Sequence, residues 1–394
     1  MTFSEIKELD QAYVAHTYNR ANFALKCGKG ATGEDFDGKS YIDFSSGIGV
    51  NSLGFADPEW VKAVSDQAAC FAHYSNLYYT APGALTAKLL CEKSGMKKVF
   101  FGNSGAEANE GMIKAARKYA QVKYGKERYE IITLINSFHG RTITTVAATG
   151  QAAMHVNFDP FTPGFIYAEA NNFDDVASKI SDKTAGIMME MVQGEGGVIP
   201  LDAEFVKKVA VLCAEKDILL LIDEVQTGIG RTGYFYSYQA FGIQPDIVSS
   251  AKGLAGGLPI GAVLFGEKTA ETFAPGDHGS TFGMNPIACA GANVVLNRLT
   301  DAFLNDVTRK GKKLTDAIEK NANVASVTGM GLMIGIMPKK GASKEIVAKC
   351  LEKGLIALTA HEKVRLLPPL AITDAELEKG LAILLEVLEE AGNA

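Results

Sequence analysis

The sequence has few of the features that mark membrane, metal-binding or disulfide-rich proteins. Its 394 residues include six cysteines and six histidines without Cys-x-x-Cys spacing or a histidine cluster, so neither a metal site nor a disulfide framework is expected. No apolar run approaches the roughly 18 to 20 residues of a membrane-spanning helix. The formal net charge of −6 argues against nucleic-acid binding. An export signal would begin with basic residues before an apolar run, but the N-terminus has the acidic residues Glu5, Glu8 and Asp10. We therefore predict a soluble cytoplasmic protein.

The sequence does contain an apolar stretch that ends in acidic residues. Five apolar residues, 218–222, lie between Asp217 and Asp223, and such a short run is typical of a strand that is covered on both faces. Ligands of open α/β sheets bind beyond the carboxyl ends of the strands. We therefore expect Asp223, Glu224 and Gln226 to face a cleft, where a buried Asp223 carboxylate would need a cationic partner.

A single lysine follows the next predicted strand. Lys252 comes after residues 246–250 and precedes a glycine-rich loop, 253–261, which allows close approach to the backbone. A lysine amine of lowered pKa can form a Schiff base with a carbonyl, and an aspartate on a pyridinium nitrogen is its usual companion. Lys252 with Asp223 therefore suggests pyridoxal 5'-phosphate. On these residues alone, a solvated loop lysine and a strand-end cap fit at least as well.

A longer motif contains the same residues. The stretch Leu-Ile-Asp-Glu-Val-Gln-Thr-Gly-Ile-Gly-Arg-Thr-Gly at 221–233, with Pro-Asp-Ile at 245–247 and Ser-Ala-Lys-Gly at 250–253, resembles the signature of the class III aminotransferases. These are fold type I pyridoxal-phosphate enzymes, and they include acetylornithine and ornithine aminotransferases. The resemblance implies an α/β fold like that of aspartate aminotransferase and a dependence on pyridoxal 5'-phosphate.

The resemblance also implies a division into two domains and a dimer. Residues 56–294 are expected to form the large domain with a mostly parallel sheet. Residues 1–55 and 295–394 are expected to form one smaller α+β domain, because the alternation of strands and helices changes near residue 295. In the family, the segment that matches Thr281 caps the cofactor phosphate across a subunit interface, which implies a homodimer with a shared phosphate site.

Several residues match the family's cofactor contacts. Ser104, Gly105 and Ala106 stand between a strand and a helix, where N–H groups and the helix dipole favour an anion; from spacing alone, a plain helix start is the alternative. By resemblance, they bind the phosphate, Asp223 keeps the ring nitrogen protonated, and Lys252 carries the aldehyde and later moves the proton. The cofactor-binding residues that the resemblance implies are Ser104, Gly105, Ala106, Phe138, Asp223, Val225, Gln226, Lys252 and Thr281.

Other positions match the family's substrate contacts. They are Arg141, Glu195, Arg365, Ser280, Tyr18 and Gly47. The resemblance implies that Arg141 binds a substrate carboxylate and that Glu195 masks Arg365 until 2-oxoglutarate enters, although a purely structural ion pair is the alternative. It also implies that the Tyr18 segment covers the substrate. Ornithine aminotransferases carry an aromatic residue at the position of Gly47, where glycine leaves room for an acylated nitrogen.

The glycine at position 47 leads to a prediction of the reaction. We expect the side-chain amino group of N2-acetylornithine to move to 2-oxoglutarate, giving N-acetylglutamate 5-semialdehyde and glutamate, a step of arginine biosynthesis. The alternative donors are succinylornithine, N-succinyl-diaminopimelate, ornithine and GABA. Met191 stands where the family has proline, which leaves the neighbouring glutamates in place.

A different class of protein also deserves consideration. Residues 228–233 formally fit G-x-G-x-x-G, the dinucleotide fingerprint, which would indicate an NAD-dependent oxidoreductase. The fingerprint should open a helix, but the aromatic-rich segment 234–238 follows it. No acidic residue closes a neighbouring strand about 20 residues further on, where the ribose contact should be. We therefore disfavour this interpretation.

Overall fold

The computed structural model describes residues 1–393, in which strands and helices alternate through most of the chain. The strands are β1 (Leu25–Lys29), β2 (Thr32–Asp35), β3 (Ser40–Asp43), β4 (Lys98–Gly102), β5 (Glu130–Leu134), β6 (Phe165–Ala168), β7 (Thr184–Met189), β8 (Val192–Gln193), β9 (Ile199–Pro200), β10 (Leu219–Asp223), β11 (Ile247–Ser250), β12 (Gly261–Phe265), β13 (Val324–Met330), β14 (Met333–Pro338), β15 (Leu355–Ile356), β16 (Leu358–Ala360) and β17 (Lys363–Leu366). The helices are α1 (Phe3–Tyr13), the single turn α2 (Ser46–Gly49), α3 (Pro58–Cys70), α4 (Ala81–Ser94), α5 (Gly105–Tyr124), α6 (Ile143–Ala148), α7 (Phe173–Ser178), α8 (Ala203–Lys216), α9 (Pro286–Arg298), α10 (Asp301–Ile318), α11 (Ser343–Glu352) and α12 (Asp374–Asn393).

A seven-stranded sheet lies at the centre, in the order β4-β12-β11-β10-β7-β5-β6. Its strands run parallel from β11 to β6, and β12 is antiparallel to both of its neighbours. All five residues of β10 are buried, because α5 covers one side of this part of the sheet and α8 also contacts β10. A strand covered on both faces can be apolar throughout. The predicted α/β fold with a mostly parallel sheet is confirmed.

Two four-stranded sheets are built from the two ends of the chain. In the first, β1, β2 and β3 are joined by β15, whose Leu355 pairs with Ile42 in parallel. The second has the order β13-β14-β17-β16. The pairing of β3 with β15 supports a small domain that combines residues 1–55 with residues 295–394. The boundaries at residues 55 and 294 stay a prediction.

Local sequence signals set several helix boundaries. The Asp57 carboxylate accepts from the backbone N–H groups of Glu59 and Trp60, both at 3.1 Å, and Pro58 occupies the first turn, where its missing N–H is harmless. Asn285 caps α9 in the same way, again with a proline in the first turn. Within residues 1–393, no helix combines the length and the apolar character needed to cross a bilayer.

Candidate active site

Asp223 lies at the carboxyl end of β10 and is almost completely buried. Its Oδ2 accepts a hydrogen bond from Asn109 Nδ2 at 2.7 Å and lies 2.8 Å from Nδ1 of His139. Its Oδ1 accepts from the backbone N–H of Val225 at 2.9 Å. Because a carboxylate only accepts hydrogen bonds, the contact between His139 and Asp223 requires a proton on Nδ1 of His139. We expected a cationic partner for Asp223, and the structure supplies an amide, an imidazole and a backbone N–H.

Lys252 follows β11 after one intervening residue, Ala251, and is half-buried. Its φ of +42° lies in the left-handed region, which a lysine rarely adopts and which marks strain at functional sites. Burial lowers the pKa of the Lys252 amine, and the positive charge of Arg365 lowers it further against the opposing pull of Glu195 and Asp223. A lowered pKa increases the neutral fraction of the amine, which is the nucleophilic form.

The predicted phosphate turn, residues 104–106, lies against Val225, two residues after Asp223. Ser104 is the N-cap of α5, and its hydroxyl accepts from the N–H of Glu107 at 3.1 Å. A Cβ atom at Gly105 would lie 2.6 Å from Cγ1 of Val225, so glycine is required for this approach. The first N–H groups of a helix have no acceptor within the helix. The turn can therefore offer the N–H groups of Gly105 and Ala106 to an anion.

Phe138 and Arg141 follow β5, two strands away from β10 in the sheet. The guanidinium carbon of Arg141 lies 5.5 Å from the centre of the Phe138 ring, and the Arg141 side chain is exposed. The backbone N–H of Phe138 donates to Oε1 of Glu190 at 2.9 Å. The segment that carries these residues is joined to the Asp223 network by His139, and the exposed guanidinium is accessible to a carboxylate ligand.

Glu195 and Arg365 form an ion pair, with Nη1 of Arg365 donating to Oε1 of Glu195 at 2.6 Å. Gln226 joins this pair: its Nε2 donates to Glu195 at 3.3 Å, and its Oε1 accepts from Arg365 at 3.1 Å. Burial alone would raise the pKa of Glu195, but the charge and hydrogen bond of Arg365 hold that pKa below its ordinary value. Nε of the buried Arg365 has no partner within residues 1–393. The predicted pairing of Glu195 with Arg365 is present.

Gly47 lies on a left-handed turn, α2, between the lysine loop and the Arg365 strand. Its φ is +61°, and a Cβ atom there would have only Nδ2 of Asn51 within 4 Å, at 3.6 Å. The hydroxyl of Ser46 donates to the carbonyl of Leu367, and that of Ser52 donates to the carbonyl of Gly253 at 3.1 Å. The turn is therefore attached next to both Lys252 and Arg365, and the space at position 47 is open.

The structure of the single chain does not bring every predicted residue to Lys252. Tyr18 is 75% exposed and lines a cavity of the N-terminal segment. Thr281 is exposed, and Ser280 accepts from Nδ2 of Asn103 at 3.1 Å. Both residues line a cavity of about 670 Å³ with His73. No hydrogen bond links Tyr18, Ser280 or Thr281 to Lys252 among the described residues, so their roles stay predictions.

Three buried residues of the site were given no role from the sequence. Asn109 and His139 hold Asp223, and Glu190 holds the backbone of Phe138. Burial raises the pKa of Glu190 to about 7, and the negative charge of Asp223 contributes to this rise. The position of Asn109, one turn into a helix that begins at the predicted phosphate turn, was the available signal. Across residues 1–393, no cluster of three or more metal-ligating side chains occurs.

The segment that fits the dinucleotide fingerprint has a different structure. Residues 228–233 form consecutive turns, and the short 3-10 helix that follows begins only at Ser237. The backbone carbonyl of Arg231 accepts from the N–H of Leu332, so this loop contacts the C-terminal part of the chain. The geometry lacks the helix N-terminus that a dinucleotide pyrophosphate requires.

Comparisons with known proteins identify the family. The family model described as Aminotransferase class-III matches residues 13–388. Acetylornithine aminotransferase of Haemophilus ducreyi is 54% identical over 392 residues, covering 99% of this chain and 100% of the relative. The enzyme of that name from Caldanaerobacter subterraneus is 46% identical, covering 97% of this chain and 98% of its own length.

Solved structures show the same fold. An ornithine aminotransferase from Toxoplasma gondii superposes with a TM-score of 0.94 at 30% identity, covering 99% of this chain and 95% of that one. The N-acetylornithine aminotransferase of Stenotrophomonas maltophilia superposes with a TM-score of 0.83 at 35% identity, covering 97% of this chain and 98% of that one.

Proposed function

The chain belongs to the class III aminotransferases, and from this we propose that it transfers the side-chain amino group of N2-acetylornithine to 2-oxoglutarate. The products are N-acetylglutamate 5-semialdehyde and glutamate, which places the enzyme in arginine biosynthesis. The relatives named above support the donor, since two are called acetylornithine aminotransferase. Within this chain, the open space at Gly47 is the observation that carries the choice of donor.

The enzyme is a pyridoxal 5'-phosphate-dependent transaminase, and the site residues fit that cofactor. Asp223 would accept a hydrogen bond from the protonated ring nitrogen, because its Oδ1 has a single donor, the backbone N–H of Val225, and can accept a second. The N–H groups of Gly105 and Ala106, with the Ser104 hydroxyl, would hold the phosphate. Phe138 and Val225 would cover the two ring faces. When bound, the cofactor supplies an aldehyde that captures amines and a ring that withdraws electrons.

Lys252 provides the acid–base chemistry. The pKa of its amine is lowered, so the neutral amine can accept a proton from the substrate carbon and then donate that proton to a neighbouring atom. The amine is also the group that would carry the cofactor before the donor arrives. Asn109 and His139 orient Asp223, and both are buried. These contacts keep the carboxylate in one position while the Lys252 amine changes its protonation state.

Arg141 and the Glu195–Arg365 pair would read the carboxylates of the two substrates. N-acetylornithine reacts at the far end from its α-carboxylate, whereas 2-oxoglutarate reacts beside its α-carboxylate. With Glu195 in place, the charge of Arg365 is neutralised and its Nη1 is occupied. When Glu195 turns away, Arg365 is available for a bidentate contact to 2-oxoglutarate. Arg141 would bind the other carboxylate. The lowered pKa of Glu195 supports this role, because Glu195 must stay ionised to mask the arginine.

A homodimer with a shared phosphate site completes the proposal. Thr281 is exposed, and the segment of residues 74–79 is close to it in the fold, since Nδ2 of Asn76 donates to the carbonyl of Ser280 at 3.0 Å. Large apolar side chains of this segment and of the residue after Thr281 are also exposed: Tyr74, Leu77, Tyr78, Tyr79 and Phe282. Such a concentration of exposed aromatic residues supports an interface. Thr281 of each protomer would then reach the phosphate of its partner, and Ser280 and Tyr18 would contribute to the substrate sites. Sedimentation at micromolar concentration should show at least a dimer, and an active monomer would contradict the shared site. We also place the enzyme in the cytoplasm.

A panel of donors with 2-oxoglutarate tests the proposed reaction. Each half-reaction is followed separately through the visible absorption of the bound cofactor. The specificity constant for N-acetylornithine should exceed that for ornithine by about one to several orders of magnitude, each tenfold step being about 1.4 kcal/mol of transition-state binding. Equal values for GABA and N-acetylornithine would refute the donor and leave the transaminase assignment intact.

A further inference from the structure

The loop that carries Glu195 ends in a residue of unusual conformation. Val198 has a φ of +52° and is fully buried. A β-branched residue in the left-handed region is strained, and it persists only where its surroundings hold it. The loop is also sterically confined, since a Cβ atom at Gly194 would collide with Oε1 of Gln226 and one at Gly196 would lie 2.6 Å from the carbonyl of Asn136.

A threonine of strand β13 holds the end of this loop. The hydroxyl of Thr328 donates to the carbonyl of Val198 at 2.7 Å, and it accepts from Nζ of Lys363 at 2.8 Å. Burial lowers the pKa of the Lys363 amine, and no carboxylate within residues 1–393 forms an ion pair with it. A charged donor polarises the hydroxyl and strengthens the bond that the hydroxyl donates.

The Val198 carbonyl, the Thr328 hydroxyl and the Lys363 amine lie together over one row of paired residues in the sheet. Arg365 belongs to the same row. Thr328 pairs with Gly335 across β13 and β14, and Gly335 pairs with Arg365 across β14 and β17. A Cβ atom at position 335 would lie 2.7 Å from Cβ of Val198 and 3.2 Å from both the Lys363 side chain and the Thr328 hydroxyl. Glycine at position 335 therefore leaves the space in which the loop, the threonine and the lysine come together.

We propose that Thr328 and Lys363 are positioning residues that anchor the Glu195 loop to the strand row of Arg365. With the backbone of the loop fixed at Val198, the distance between the Glu195 and Arg365 side chains depends on rotation of the Glu195 side chain alone. The anchor thus sets how often Arg365 is masked. This inference rests on the proposed function, in which masking decides between donor and dicarboxylate.

Glutarate, an unreactive dicarboxylate of the length of 2-oxoglutarate, measures the masking without turnover. Its dissociation constant from the holoenzyme is obtained by titrating the visible absorption of the bound cofactor. Thr328→Val removes the hydroxyl at constant shape, so Glu195 should compete less well and glutarate should bind about five-fold more tightly, the scale of one net hydrogen bond. Thr328→Ser should restore the wild-type value, and Lys363→Met should give a smaller shift in the same direction.

Two comparisons separate this role from a general structural one. Thr359→Val, a half-buried threonine of the same sheet, should leave the glutarate affinity unchanged. In a Glu195→Gln background, Thr328→Val should have no further effect, because the charge that it positions is gone. An unchanged glutarate affinity in Thr328→Val, or an equal shift in Thr359→Val, overturns the proposal. If Thr328→Val does not fold, Lys363→Met decides in the same way. The donor panel stands apart, since a wrong donor leaves the glutarate result valid.

Discussion

Asp223 and Arg365 are both buried charges of one site, but they are held in different ways. Asp223 receives three donors from three separate segments, and both of its oxygens are engaged. Arg365 is bound on one side only, by Glu195 and Gln226, and its Nε has no partner in the described chain. A group that must stay in place throughout a reaction benefits from many fixed contacts. A group that changes its partner between substrates requires contacts that can be exchanged at modest cost.

The largest expected effect comes from removing Lys252, whose amine is influenced by both of these charges. Lys252→Ala should abolish the visible absorption of the lysine-bound cofactor and reduce turnover by at least about 10³-fold, because the covalent anchor and the acid–base group are lost together. Absorption spectra and steady-state rates are the measurements. A variant that retains both the absorption and the rate would contradict the assignment of Lys252.

Removing the more firmly held charge should come next. Asp223→Ala leaves Asn109, His139 and the backbone N–H of Val225 without their acceptor, and each unsatisfied buried donor costs about 1–3 kcal/mol. We expect lower thermal stability and cofactor affinity reduced at least about tenfold in equilibrium dialysis. Glu195→Ala serves as the comparison and should keep cofactor affinity near that of the wild type. Equal losses in the two variants would contradict the distinction drawn above.

Removing the exchangeable charge should separate the two half-reactions. Arg365→Ala is expected to slow the step with 2-oxoglutarate by about 10- to 100-fold, which corresponds to roughly 1.4 to 2.7 kcal/mol of lost carboxylate binding. The step with N-acetylornithine should change less, since the donor meets the arginine in its masked state. Single-turnover measurements of each step decide. Parallel losses in both steps would indicate that the pair with Glu195 is only structural.

The smallest effect concerns the open space beside the site. Gly47→Tyr should lower the preference for N-acetylornithine over ornithine by about tenfold, because the ring would fill the room for the acyl group. Gly38→Tyr is the matched control, since Gly38 also has a positive φ, of +82°, and no atom within 4 Å of its Cβ position. The ratio of specificity constants is compared between the two variants. An unchanged ratio in Gly47→Tyr would refute the acyl-pocket assignment.

The elements around Asp223 were predictable because each depends on local signals. The apolar run of β10 and the turn at Ser104 are both read from neighbouring residues. The contacts of Gln226 were not predictable in this way. The family pattern assigns its amide to the cofactor, which stays a prediction, and it gives no sign of the contacts that the amide makes with Glu195 and Arg365. Side-chain direction at a strand end depends on what tertiary packing brings close, and residue spacing does not contain this information.

The strand end of β7 shows the same limit. Strand β7 ends at Met189, and the chain leaves the sheet one residue before Glu190. Glu190 is then free to accept from the N–H of Phe138, a contact between neighbouring strand ends. A fully buried carboxylate here satisfies a backbone donor that has no other acceptor. The N–H of Phe138 needs this acceptor only in the assembled sheet, so no local sequence pattern predicts the contact.

The pairing of β3 with β15 has a consequence for the order of folding. Ile42 meets Leu355 across more than three hundred residues of chain, so the sheet that bears the N-terminal strands cannot close until the ribosome has released nearly the whole polypeptide. The central sheet, whose strands lie between residues 98 and 265, has no such delay. Because long-range pairing is slow and exposes unpaired strand edges, strands β1–β3 must wait as an open edge during synthesis. The turn with Gly47, attached to Leu367, would be among the last parts of the site to form.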